Sequence, residues 1–247
     1  MLASFDTHLF WTALSSGPFW RGALTALELT FVSLATAIVL GFFVALGALS
    51  TRRRLRSLSW VYNWLFRATP TLLQLYFVWY ALPQIWGVFA GGWFTPFAAA
   101  WIALSLNEAA YMSEIIRAGL LSVDPGQELA GRALGMTRRQ ILRKVIVPQA
   151  VRIVIPPTGN EFITLLKLTS LAFVISLHEL LTAAQELSSS TFEYPEPLLA
   201  ALVYYLVIVS ILMVVQSRHE RRFTWTSRRR RRRVGAPAVP VVSHDAR

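Results

Sequence analysis

The residues of this chain best able to do chemistry are charged and amide side chains set inside long apolar runs. Glu108, Glu114 and Arg117 lie in one run and Glu161 and Lys167 in another, with Asn107, Tyr111, Asn160, Thr164, Thr169 and Ser170 nearby. A charge at the centre of a helix in hydrocarbon costs about 2.5–3.5 kcal/mol on insertion scales, so each needs a partner, water or a solute to offset it. Asn160, Thr164, Lys167 and Ser170 or Leu171 recur at helical spacing, giving a polar stripe suited to a water-filled path or a subunit seam. Glu161 falls roughly 120° round the helix from Lys167 and is not its partner. Asn107, Tyr111 and Glu114 share a face, and Arg117 is within pairing reach of Glu114. That pair serves either a site or the cohesion of a bundle. Arg67 and Gln74 flank Pro70, where they suit either the lining of a path or the geometry of a helix start around Thr69.

Other chemistries lack their residues. No G-x-x-x-x-G-K-[ST] loop is present to cradle a nucleotide, and no G-x-S-x-G turn to raise a serine nucleophile. His178-Glu179-Leu-Leu-Thr182 begins like a zinc helix but has no second histidine. Cysteine is absent and the 4 histidines are scattered, so no metal site is expected. The reading is of a chain with no catalytic residues and no cofactor of its own.

The elements that carry these residues follow from composition. Of 247 residues 55% are hydrophobic and only 15% charged, with 24 Lys+Arg against 13 Asp+Glu. About 20 apolar residues span a bilayer as a helix, which satisfies its own backbone. Five stretches qualify, near residues 25–49, 58–82, 97–121, 151–177 and 197–215, with Pro70 breaking the second. Arginines crowd the loops after the first, third and fifth, whereas 84–96 has no Lys or Arg and 178–196 has none but carries four glutamates. Basic loops stay in the cytoplasm, which puts the amino terminus outside and the carboxyl terminus inside. Residues 1–21 form an extracytoplasmic segment, without the basic start of a signal peptide. Residues 22–222 form the spanning domain, and 223–247 a basic cytoplasmic tail without fixed structure. The run Arg228 to Arg233 is suited to anionic membrane lipid. Ser33, Ala37, Gly41 and Ala45 make a small-residue stripe that lets two helices approach, within the chain or against another subunit.

The loop from Asp124 to Pro148 reads as two short helices around a fixed turn. Asp124 caps a helix begun by Pro125, Gly135 takes the left-handed position past its end, and Thr137 with Gln140 forms a capping box opening the second, which Pro148 closes. Ala133 to Leu142 would also pass for a DNA-binding helix-turn-helix. Its tether to membrane spans at both ends favours a docking surface for a cytoplasmic protein.

This loop resembles that of ABC-importer membrane subunits, whose pattern is E-A-A, three residues, G, nine residues, I-x-L-P. Here the pattern is met by Leu129-Ala130-Gly131, Gly135, Val145-x-Val147 and Pro148, with Leu129 in place of the leading acid and Glu128 one residue before it. Arg67-Ala-Thr-Pro70-x-x-x-Gln74, Glu108-Ala-Ala-Tyr111-Met-Ser-Glu114-Ile-Ile-Arg117, Gly126-Gln127, Asn160 and Lys167-Leu-Thr169-Ser170 are similar to the polar amino-acid uptake branch, in its order. The resemblance implies an all-α, five-span permease of the type I importer kind in the bacterial inner membrane. It implies a second permease subunit, identical or related, an extracytoplasmic solute-binding protein, and ATPase subunits that carry the ATP and Mg. Gln127, Glu128, Leu129, Ala130, Gly131, Gly135 and Pro148 would form the coupling loop against the ATPase. Arg67, Gln74, Glu108, Tyr111, Asn160, Lys167, Thr169 and Ser170 are the candidates for the substrate path. An ATP-independent channel or secondary carrier and a membrane-tethered DNA-binding regulator are the rival readings.

Overall fold

A computed structural model describes residues 5–233, with side chains through Arg218, and every regular element among the described residues is helical. The long apolar run near the amino terminus forms α2, Gly17–Ala48, with proline in its first turn. Its buried face is small: Ala26, Ser33, Ala37, Gly41 and Ala45 turn inward. They lie against α6, Pro96–Leu121, whose own buried face includes Ala99, Ala103, Ala109 and Ala110. A Cβ on Gly41 would stand 2.9 Å from the Ala109 carbonyl oxygen and 2.9 Å from Met112 Cβ, so only glycine permits this approach. The small-residue stripe is therefore used inside the chain. Close backbone approach supplies the dispersion contact that must replace the hydrophobic effect between helices in lipid. The other face of α2 leaves Phe31, Val39, Phe42 and Phe43 exposed.

The second apolar stretch is divided. Helix α3, Arg53–Ala68, ends where Pro70 cannot continue the ladder. The chain resumes as α4, Thr71–Tyr76, passes through a π turn at Phe77–Ala81 and ends in α5, Leu82–Ile85. The hairpin helices are α7, Pro125–Ala133, and α8, Arg138–Ile141. Pro148 does not close the second of them. A π turn at Leu142–Ile146 runs directly into α9, Val147–Leu168, with Pro148 in its first turn, and a 3-10 turn, Thr169–Ile175, finishes it. In both stretches a π turn ends two residues before a proline, at Pro83 and at Pro148. The widened coil relieves the pressure of the ring on the preceding turn, so the helix persists.

Among the described residues, three continuous helical segments are long and apolar enough to cross a membrane: Gly17–Ala48, Arg138–Ile175 and Pro195–Arg218. Helix α6 has the length, at 26 residues, but its apolar character is diluted by Asn107, Glu108, Glu114 and Arg117. The last helix, α11, covers Pro195–Arg233, so the first part of the expected unstructured tail is helical, and 234–247 lies outside the described residues.

Two further helices lie outside the apolar stretches. Helix α1, Thr7–Ser15, is capped by Asp6, whose carboxylate accepts from the His8 and Leu9 amides. Helix α10, Leu180–Thr191, is capped by Glu179, which accepts from the Thr182 amide at 2.9 Å. The two pack with α11 and the start of α2 around Phe19, Leu180, Ala184 and Ala200, a second core apart from the α2–α6 seam. Tyr204 donates to the Leu14 carbonyl at 2.8 Å, and Tyr205 to Glu179 at 3.0 Å.

Candidate functional site

The hairpin is built from its local chemistry. Asp124 accepts from the Gly126 amide at 2.8 Å, covering an orphan donor at the start of α7. At the other end the Gly135 amide donates to Arg132 and the Met136 amide to Gly131, while Gly135 sits at φ +73, where a side chain would be strained. Thr137 and Gln140 complete the capping box from both sides. Gly131 is buried against Ile141, which locks α7 onto α8. Glu128 pairs with Arg132 on the same helix. Gln127 is half-buried, whereas Ala130 is exposed and Leu129 and Leu134 are 67% and 80% exposed. Helix α7 thus exposes an apolar ridge beside the Glu128–Arg132 pair, on a fixed turn.

A cleft of about 690 Å³ opens between α3 and α6, lined by Arg56, Trp60, Asn63, Trp64, Arg67, Tyr111, Glu114 and Arg117 among others. One wall is closed on itself: Arg117 donates to Glu114 Oε2 from Nε at 3.0 Å and Nη2 at 2.7 Å. Asn63 donates to Glu114 Oε1 at 3.0 Å and accepts from Ser113 at 2.9 Å. The expected pair of Glu114 and Arg117 therefore exists and borders the cleft. Arg67 lies over the Tyr111 ring, 5.5 Å from its centroid. Trp60 and Trp64 are stacked at 6.2 Å with planes 7° apart.

Gln74 falls on the other side of the alternative left open for it and Arg67. Its amide nitrogen donates to the Phe66 carbonyl, the Thr69 carbonyl and the Thr69 hydroxyl, and its oxygen accepts from Asn107, which also donates to Phe66. Gln74 and Asn107 thus satisfy backbone carbonyls freed at Pro70.

The remaining path candidates do not gather in the cleft. Glu108 is 1% exposed on α6, its Oε1 has no hydrogen-bond partner among the described residues, and Glu161 of α9 is near enough for their charges to interact. Asn160 accepts from Gln216 of α11 at 2.7 Å, tying α9 to α11. Thr169 and Ser170 donate back to carbonyls of their own helix. Lys167 is exposed beside the equally exposed Thr164, and the ion pairs among the described residues do not include it. Asn63 and Gln216 were not singled out by sequence. Asn63 had a signal, an amide one turn before Arg67, and Gln216 had none, because its partner lies 56 residues away.

Helices able to cross a membrane, a capped hairpin between them and a polar cleft are the features of a membrane-embedded subunit. The chain belongs to the family described as binding-protein-dependent transport system inner membrane component, whose pattern matches residues 37–225. It is 39% identical over 206 residues to an arginine transport system permease protein of Corynebacterium glutamicum, covering 79% of this chain and 63% of that protein. It is 42% identical over 184 residues to an L-cystine transport system permease protein of Bacillus subtilis, covering 74% of each. The crystal structure of an amino acid ABC transporter with histidines is similar over 90% of this chain and 100% of that one, with TM-score 0.78 and 35% identity.

Proposed function

We propose that this amino-acid ABC importer permease crosses the bacterial inner membrane five times, amino terminus outside and carboxyl terminus in the cytoplasm. Two stretches beyond the three plain spans complete the count: α6, and the α3–α5 segment braced across Pro70 by Gln74 and Asn107. The alternation of basic and arginine-free loops supports the orientation. On this reading the Asp124 to Pro148 hairpin is the coupling loop, pressed by its Leu129–Leu134 ridge into a cytoplasmic ATPase subunit that holds ATP and Mg. A second permease subunit and an extracytoplasmic binding protein complete the importer, and the cargo is a polar amino acid. ATP binding biases the spans only through the difference in affinity that the hairpin transmits.

The observation that carries the reading is the rigid, doubly capped hairpin with an exposed apolar ridge, set between long helices. Arg138 and Arg139 remain solvent-exposed on the second helix, but the ridge rather than a basic face is what α7 presents. The test is uptake into liposomes holding the permease, its ATPase and its binding protein. Accumulation should require all three proteins and ATP. Equal flux through the permease alone would instead establish a channel or secondary carrier.

A further inference from the structure

Helices α2, α6 and α9 enclose an open-sided groove of about 770 Å³ that starts where the hairpin joins α9. Met112 and Ile116 of α6 are buried along it, whereas the flanking Phe42 and Phe43 of α2 and Val151 and Ile155 of α9 are exposed. On α9 the lining runs from Val147 to Phe162 at helical spacing, so one face of the helix follows the groove for about 22 Å. The lining hydroxyl, on Thr158, donates to the Val154 carbonyl at 2.8 Å, which leaves no lining side chain with a free donor. The chemistry changes at the hairpin end. Arg139, Arg143 and Lys144 border, with Gln140, a notch of about 290 Å³. All three cations are exposed, and the ion pairs among the described residues include none of them. The π turn at Leu142–Ile146 sets Arg143 and Lys144 about one turn before Val147.

We infer that groove and notch together seat one anionic phospholipid, with an acyl chain along α9 and the phosphate at Arg143 and Lys144. An apolar trough ended by cations has the polarity profile of a single lipid, hydrocarbon and then phosphate. Half of a hydrocarbon core of about 30 Å is roughly 15 Å, so the groove can hold a chain from one leaflet up to its headgroup. A second copy of this chain is the other occupant that an apolar groove admits. About a two-fold axis along the membrane normal, that copy would bring its own Arg143 and Lys144 to the same depth, like charge against like. An anionic headgroup neutralises them instead. The lipid thereby bridges the turn after α8 and the exposed face of α2, joining the hairpin to the frame through a ligand taken from the bilayer.

The inference rests on the proposed placement of the hairpin at the cytoplasmic face, and its test is separate from ATP-driven uptake. The intact permease–ATPase complex in detergent is given palmitoyl-oleoyl phosphatidylglycerol or palmitoyl-oleoyl phosphatidylcholine and read by native mass spectrometry. The wild type should retain phosphatidylglycerol about tenfold over phosphatidylcholine, and Arg143→Gln combined with Lys144→Gln should bring that ratio to about one. Val151→Trp, which fills the groove, should lower retention of both lipids. A phosphatidylglycerol with a diazirine in its acyl chain needs no variant, and should label peptides within 34–43 and 147–162. Equal retention of the two lipids by the wild type overturns the inference. So does a preference that survives the double variant, retention that Val151→Trp leaves unchanged, or label confined to other helices. Disulfide crosslinking between two copies through Phe43→Cys and Val151→Cys puts a second copy in the groove and overturns it as well. Any of these results, with ATP-dependent accumulation by the complete importer intact, leaves the permease reading standing. Lipid preference as expected without uptake removes that reading and keeps the lipid site.

Discussion

Gln74 and Asn107 are polar residues whose linked amides are turned to one defect, the carbonyls left without donors at Pro70. Leucine at position 74 would fill the space and strand those groups. Gln74→Leu should therefore cost about 1–3 kcal/mol, measured as a lower thermal midpoint in lipid nanodiscs. From sequence, Gln74 and Arg67 were equivalent, since each flanks the same proline at helical distance. Only the fold separates them, because the break turns Gln74 back onto the backbone and leaves Arg67 over Tyr111. Thr169 and Ser170 illustrate the converse. Their spacing placed them with the path, but a hydroxyl in a helix can satisfy itself on its own preceding turn, and both do.

Among the elements, the hairpin was the most legible, because caps and a positive-φ glycine are decided within four or five residues of chain. Asp124, Gly135 and the Thr137–Gln140 box all stand as the spacing predicts. Gly135→Val forces a β-branched residue into the left-handed region at a cost of about 1–2 kcal/mol, paid by reshaping the turn. The expected outcome is insertion and ATP hydrolysis without matching uptake, read as the ratio of solute accumulated to phosphate released. Leu134→Lys places a charge on the ridge and should reduce co-purification of the ATPase subunit, while the α7–α8 contact through Gly131 and Ile141 persists. Helices α1 and α10 were not legible, since each is short and owes its stability to the Phe19–Leu180–Ala200 core, assembled from residues far apart in sequence.

At the scale of the whole molecule, the α2–α6 seam is the spine on which the other elements hang. Gly41→Leu would push a side chain into the Ala109 backbone and the Met112 side chain and should destabilise the chain by about 1–3 kcal/mol, seen as reduced resistance to thermal aggregation in detergent. The four small residues of the stripe announced a close approach, but the identity of the partner helix was beyond periodicity, which reports a face and not its neighbour. The same limit applies to Lys167, exposed on α9 without an ion pair among the described residues: its stripe was visible in the sequence, and periodicity does not say what faces it.

The π turn that ends two residues before Pro148 sets the rotational phase between hairpin and span. A π turn holds one residue more than the α coil it interrupts, and one residue is about 100° of azimuth. Freed of the proline ring, the coil can tighten, and α9 then turns on its axis while α8 stays where Thr137 caps it. Pro148→Ala should therefore leave the ATPase bound and the spans inserted but deliver each stroke along the wrong bearing. Crosslinks between cysteines introduced on α7 and on the Val151–Val154 face of α9 would register the slip as a change in which positions meet. On the importer reading, a single imino acid is the keyway that stops the shaft from turning in its coupling.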